Sequence, residues 1–409
     1  MSWLGGWQYR KSHVIEGSPA GAVADYQVRI ITHYGSGSDS GEHVYLNEHA
    51  RADFGDVRFT GSDGETLLDY WIEELVEGDY AVFWVEVPSI PASPDTAMIY
   101  IYYGKGDATS ISDGDATFEF FDDFSSDPNT SGKWEIYRHA NDTANEFVYE
   151  PANKRVYLTK AVDRRGSFAF LKKNGVLLDC PEPGFAVKTR GGGGGGTGAD
   201  GWALGFYKDP SPYQTYGRCS RGGKFGLAAY DGSSDVQSKC YAVEFDNSMN
   251  LFDATDNHNA LVDTLTTITP ETHHTRYDTN IANEDNITHD IEIYVYDFAK
   301  LVVDGVEHFS HSISFDKTYT KMGFGGATGA ANNNHWIQDY VMVRKYVDPE
   351  PSHGVWGAEE TIAPPPPPEE VTPLYYITYN VFEQIANMIY AVVALVMVFT
   401  ILLAIRHKT

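Results

Sequence analysis

The chain has 409 residues, enough for two domains that each bury a core, and 57 Asp and Glu against 30 Lys and Arg give a formal charge of -27. Such a field repels a phosphate backbone, which excludes nucleic acid as a partner, and it attracts cations. Bulk acidity serves solubility as readily as ion binding, so only clustered carboxylates argue for a metal.

Met1 to Lys11 (MSWLGGWQYRK) has no basic segment followed by an apolar one, so no secretory leader is legible. The expectation is a removed leader or an unusual export route, with a tail-anchored protein and a virus-encoded envelope protein both fitting. Short alternating runs then recur: Ala81 to Val87 (AVFWVEV), Met98 to Tyr103 (MIYIYY), Ile291 to Tyr296 (IEIYVY) and Tyr340 to Arg344 (YVMVR). Bounded by Gly, Asn, Asp and Ser, they predict an all-β fold of two β-sandwich domains. Residues 1–115 form the first. Trp7 to Lys11, Asp53 to Ile72 and Met98 to Phe124 resemble an uncharacterised β-rich module of prokaryotic surface proteins, a family with no assigned activity. Asp53 and Asp56 lie in a loop expected to be a solvated turn, with a cation site as the alternative.

Residues 116–360 form the second domain. Its six consecutive glycines, Gly191 to Gly196, predict a flexible connection. Three cysteines in all (Cys180, Cys219 and Cys240) are too few for a disulfide scaffold, and Cys219 with Cys240 is the pair expected to close in an oxidising compartment. The informative stretch is Tyr241 to Val262, YAVEFDNSMNLFDATDNHNALV. A strand through Glu244 and Asp246 points both carboxylates the same way, because side chains alternate with period two. The loop that follows supplies Asn250, Asp253 and His258. Hard oxygens suit calcium, and an added imidazole suits a transition ion such as manganese.

This stretch resembles the metal loop of L-type (legume-type) lectins, a family with a concanavalin A-like jelly roll. The Glu-x-Asp spacing, the gap of four from Asp246 to Asn250 and the gap of five from Asp253 to His258 agree, while the gap from Asn250 to Asp253 is shorter. The resemblance extends over about residues 118–346 through three further stretches. These are Gly198 to Tyr207 (GADGWALGFY), Arg221 to Leu227 (RGGKFGL), and Met322 to Gly329 (MGFGGATG) with the polar loop Ala330 to His335 (AANNNH) after it. It implies calcium held by Asp246, Asn250, Asp253 and the Ser248 carbonyl, and a second ion served by Glu244, His258 and the two aspartates. It also implies a cis peptide between Ala199 and Asp200, and a sugar site made by Asp200, Gly223, Asn250, Asn332 and Asn333. In the family an aromatic ring stands two residues before the calcium-binding Asn; here that position is Ser248. Met249, Phe252 and Trp336 are the candidate substitutes.

The same sandwich hosts retaining glucanases, whose two catalytic carboxyls stand about 5 Å apart on one strand, as in Glu-x-Asp-x-Glu. Asn247, Ser248 and Met249 follow Asp246, so the third carboxylate is absent. Recognition of glycans or glycoproteins without catalysis is the expectation, and a structural coat or envelope protein is the competing one. Sequons at Asn129, Asn141 and Asn286 suit an exposed protein.

Pro364 to Pro368 open a semi-rigid stalk within residues 361–384. Ile385 to Ile405 then gives 21 residues, roughly 31 Å of helix, sufficient to cross a bilayer. Arg406 and Lys408 in the tail, residues 406–409, face Glu369 and Glu370 across it. The charge bias predicts a single-pass protein with its ectodomain at a cell surface or virion envelope and its C-terminus in the cytoplasm or virion interior. A homo-oligomer or surface array is compatible with this layout.

Overall fold

The computed structural model describes residues 2–247, 258–265, 272–277, 285–312, 316, 318–362 and 374–406. Residues Ser248, Met249, Asn250, Phe252 and Asp253 of the predicted calcium loop and residues 363–373 of the predicted stalk lie outside them. The chain divides into Met1–Thr361 and Ile362–Thr409. The all-β class, the two sandwiches and a terminal apolar helix are all observed.

In the first sandwich, a sheet built on the Tyr9–Glu16 and Thr96–Tyr103 strands faces a four-stranded sheet built on Val23–His33 and Tyr80–Ile90. Alternation puts Tyr26, Val28 and Ile30 inward against Phe59, Phe83, Ile99 and Ile101. Asp53 accepts from the Arg51 guanidinium at 2.7 Å and the Gly55 N–H at 3.0 Å. Asp56 accepts from the Gly104 and Lys105 N–H groups at 2.7 and 3.0 Å. Both carboxylates close turns, and the hydrogen bond from Arg51 holds the Asp53 carboxyl down at about 2.

The second sandwich pairs two eight-stranded sheets. Leu204, Val243, Phe245, Leu261 and Phe324 from one meet Val187, Ile291, Ile293, Leu301 and Val341 from the other, and Trp202 stacks on Phe245 with centroids 4.0 Å apart. The opposite face of the first of these sheets is covered by Tyr213, Phe225 and Leu227, packed on Phe168, Phe170 and Ala242. Asn129, Asn141 and Asn286 are exposed.

Three expectations are corrected. Gly191 to Gly194 is the end of the Phe185–Gly194 strand, paired along its length with Asn334–Lys345 and, at Gly191, with His289 on the other side, and not a flexible connection. A Cβ at Gly192 would stand 2.2 Å from the Ile287 carbonyl, and one at Gly196 would stand 2.1 Å from that of Asn332. The run is therefore glycine because neighbouring backbone fills the side-chain space. Gly192→Ala is expected to cost about 2 kcal/mol in a denaturant melt, the range for overpacking a tight site. Second, all three cysteines are free and buried; Cys219 Sγ donates to the Tyr137 carbonyl, and Cys240 Sγ lies 3.4 Å from Thr264 Oγ1. Third, Ser352–Trp356 and Glu360–Thr361 pair with Tyr9–Glu16, so the end of the stretch assigned to the second domain completes the first sandwich. The second sandwich is thus an insertion between two strands of the first.

The sandwiches meet through Trp84 and Trp71 against Phe118, Phe121, Tyr340 and Met342. Beside this cluster Glu73 accepts from Trp84 Nε1 (2.8 Å), the Tyr340 hydroxyl (2.8 Å) and Lys188 Nζ (2.5 Å). Separately, the Leu374–Arg406 helix contains a stretch, Val381–Arg406, long and apolar enough to cross a membrane.

Candidate functional site

The predicted carboxylates Glu244 and Asp246 lie on the middle one of three neighbouring strands. Gly201–Tyr207 pairs with Cys240–Asp246, which pairs with His258–Asp263, and both Gly201 and His258 stand opposite Asp246. Val243 and Phe245 enter the core between the sheets, while Cys240 and Ala242 pack on the outer face. Glu244 and Asp246 follow the same alternation onto that outer face, as their spacing predicts. His258 joins them, with Nε2 3.4 Å from Glu244 Oε1. All three are buried, at 1 %, 2 % and 1 % exposure, so they occupy an interior polar site and not a solvated strand end. Ser248, Asn250 and Asp253 complete the predicted set outside the described residues. Among the described residues, no group of three or more His, Cys, Asp or Glu side chains is arranged to hold an ion.

The Asp246 end of the strand is tied to a second feature. The Asn247 N–H donates to the Asp200 carbonyl at 2.7 Å, and the Asn247 amide nitrogen lies 3.4 Å from His335 Nε2. His335 Nδ1 in turn meets Thr159 Oγ1 at 2.9 Å, and burial pushes this imidazole down to about 3, so it stays neutral. Asn247 and His335 escaped the sequence reading. For Asn247 the available signal was its place directly after Glu-x-Asp.

The peptide between Ala199 and Asp200 is cis, as the lectin resemblance implies. Asp200 is 7 % exposed, and its Oδ2 is buried with no hydrogen-bond partner among the described residues. Burial alone pushes its carboxyl up to about 7. Glycines make the room: a Cβ at Gly329 would stand 2.8 Å from Asp200 Oδ2, and one at Gly222 would stand 3.9 Å away. The Gly222 N–H donates to the Thr328 carbonyl at 3.2 Å and the Asp200 N–H to the Ala327 carbonyl at 3.1 Å. The neighbouring Gly223 N–H makes no hydrogen bond among the described residues. Three loops far apart in sequence thus close around one carboxyl.

The remaining predicted sugar contacts are partly committed. Asn333 is 1 % exposed and its amide oxygen accepts from the Gly196 and Asn334 N–H groups, so it braces the glycine strand. Asn332, more open, donates from its amide to Asp163 Oδ1 at 2.5 Å. Trp336 offers no open ring: it is 3 % exposed, donates to Thr288 Oγ1, and carries the Arg155 guanidinium 4.7 Å from its centroid. In chemical terms Asp200 offers a buried acceptor oxygen, and the Gly223 N–H is a donor without a partner among the described residues.

Residues 53–137 match the model of a family described as a domain of unknown function (DUF2341). No curated protein matches the chain. Among solved structures, a Bauhinia forficata lectin in complex with GalNAc is 16 % identical, with 54 % of this chain and 96 % of that one covered at a TM-score of 0.38. The VIP36 exoplasmic/lumenal domain in a Ca2+/Man3GlcNAc-bound form is 13 % identical over 52 % and 85 %, at 0.39. The metal-free lectin I-B4 of Griffonia simplicifolia is 16 % identical over 55 % and 99 %, at 0.40.

Proposed function

We propose that the chain is a membrane-anchored surface protein that recognises glycans, without catalysis, at a calcium-organised L-type lectin-like site. The observation that carries this reading is the closure of three loops, at Gly198 to Asp200, Arg221 to Phe225 and Thr328 to Gly329, on Asp200 Oδ2, which has no hydrogen-bond partner among the described residues. A buried carboxyl oxygen without a donor costs free energy unless a ligand supplies one, and a sugar hydroxyl is such a donor. Gly223 offers its N–H to the same ligand.

The residues present fit calcium in chemistry. Two carboxylates and an imidazole share the buried face at Glu244, Asp246 and His258, a costly grouping without a cation. By the lectin resemblance, Asp246 holds calcium with Asn250, Asp253 and the Ser248 carbonyl, and Glu244 and His258 serve a second ion such as Mn2+. Bound calcium supplies positive charge that fixes the loop ends. The Asp200 backbone, joined to Asn247 and facing the Asp246 strand at Gly201, then holds its carboxyl toward the ligand.

The apolar helix anchors the ectodomain outside, with the C-terminus in the cytoplasm or virion. A coat or envelope protein using the sandwich as scaffold is the second reading, favoured by the buried Trp336 and the serine at position 248, which leave no stacking ring among the described residues. A glycan array with and without chelator distinguishes them, and calcium titration of the chelator-treated chain tests the metal site itself. The glycan reading predicts calcium-dependent thermal stabilisation that Asp246→Ala abolishes, and no stabilisation at millimolar calcium contradicts a calcium-organised site.

A further inference from the structure

The strands that complete the first sandwich carry an unusual side-chain arrangement. His13, on Tyr9–Glu16, places Nε2 2.9 Å from Nδ1 of His353, on Ser352–Trp356. His33, on Val23–His33, places Nε2 2.9 Å from Nδ1 of His43, on the parallel His43–Tyr45 strand. In both pairs the ring centroids are 5.2 Å apart. That exceeds the nitrogen separation by two ring radii, so the rings meet head to head with collinear lone-pair axes. A shared metal ion needs those axes to converge on a third point. The geometry is a hydrogen bond.

Such a bond needs a hydrogen on one facing nitrogen and a lone pair on the other. Each folded pair therefore accepts at most one of the two protons that its histidines take up in the unfolded chain below their ordinary value of 6.5. By linkage, each pair loses about a factor of ten in closure for every pH unit below that value. Burial and the neighbouring His353 push His13 down to about 3; burial likewise lowers His353, and burial and His43 lower His33.

Nearby counter-charges do not relieve the conflict. Glu42 faces His353 but is paired with Arg29 at 2.9 Å, and Glu350 is paired with Arg344 at 2.7 Å. Lys11, on the His13 strand, holds Asp39 at 2.7 Å, and Glu16 lies beside Gly354. Asp79 partly offsets the effects on His33. Trp356 closes over His13 with ring centroids 3.7 Å apart. At the strap's far end Glu360 pairs with Arg10 at 2.7 Å. There, too, hydrogen bonds from Tyr103, His49 and Asn47 outweigh burial and keep Glu359 below its ordinary range, so the Glu359 contacts survive mild acid.

We propose that the two histidine pairs are one-proton locks on the first sandwich, and that mild acid, between about pH 6.5 and about pH 5, releases the Ser352–Trp356 end of the strap formed by residues 352–361, while its far end stays tied through Glu359. Hydrogen exchange of the full chain in detergent, at about pH 7.5 and about pH 5 with intrinsic rates corrected, reads this out locally. Peptides of Ser352–Trp356 are expected to open at least about tenfold more at the acid pH, while Tyr80–Ile90 does not. H353Q with H43Q keeps a donor and an acceptor in each pair and is expected to suppress the acid step; H13Q with H33Q is the reciprocal variant should the first misfold. Equal protection at both pH values, or an undiminished acid step in the substituted chain, overturns the proposal.

Discussion

Asp200→Asn is expected to stabilise the calcium-free chain at pH 8 and to abolish its sugar binding. The carboxyl sits at about 7 in the fold against an ordinary 3.8, because burial disfavours its charge. Between those values the unfolded chain has released a proton that the folded chain retains, so stability falls as pH rises from about 4 to about 7 and levels off above. At about 1.4 kcal/mol per tenfold change in proton affinity the ceiling is about 4 kcal/mol, and about 2 kcal/mol is expected after local relaxation. The amide carries no such penalty, so its advantage should be present at pH 8 and absent at pH 4 in paired urea melts. A residue retained for stability would give the opposite sign.

Glu73→Ala is expected to be the most damaging single change at the junction of the sandwiches, at about 3 to 5 kcal/mol. It strips the acceptor from Trp84 Nε1 and the Tyr340 hydroxyl and leaves Lys188 with Glu292 at 3.3 Å as its remaining partner. Although burial opposes it, Lys188 and the two neutral donors hold the Glu73 carboxyl below its ordinary 4.5. Its contribution is therefore present above that pH and fades as pH falls through the lowered value. Lys188→Met combined with Glu73→Leu should recover most of the loss, since removing both charges leaves neither buried alone. Urea melts of the unsubstituted chain and both variants at pH 7 and pH 4 check both statements.

The features legible in the sequence are those with local signatures. Alternation through Ala81 to Val87 and Ile291 to Tyr296 marked strands, and the period of two placed Glu244 and Asp246 on one face. The apolar run from Ile385 marked the terminal helix. Contacts made across the chain left no such trace. The strap pairs His13 with Trp356 and Ile15 with His353, more than 300 positions apart, and nothing in Ser352–Trp356 announces its partner. Gly191 to Gly194 reads as flexible because composition cannot reveal that Ile287 and Asn286 occupy the space beside it. Cys219 and Cys240 invited pairing by nearness in sequence, yet their thiols face Tyr137 and Thr264. In the candidate site, the loops of Asp200 and Gly223 carry local motifs, whereas the bracing roles of Asn247, Asn333 and His335 follow from tertiary hydrogen bonds.

Because residues 352–361 return to the first sandwich, the chain leaves that domain ahead of the terminal apolar helix, and the inserted second sandwich carries the candidate site.

The most direct measurement is a glycan array probed with the full chain in calcium, beside the same chain in chelator and Asp200→Asn in calcium. The account predicts at least one glycan bound by the first and by neither of the others. Binding to no glycan, or equal binding by Asp200→Asn, would contradict it.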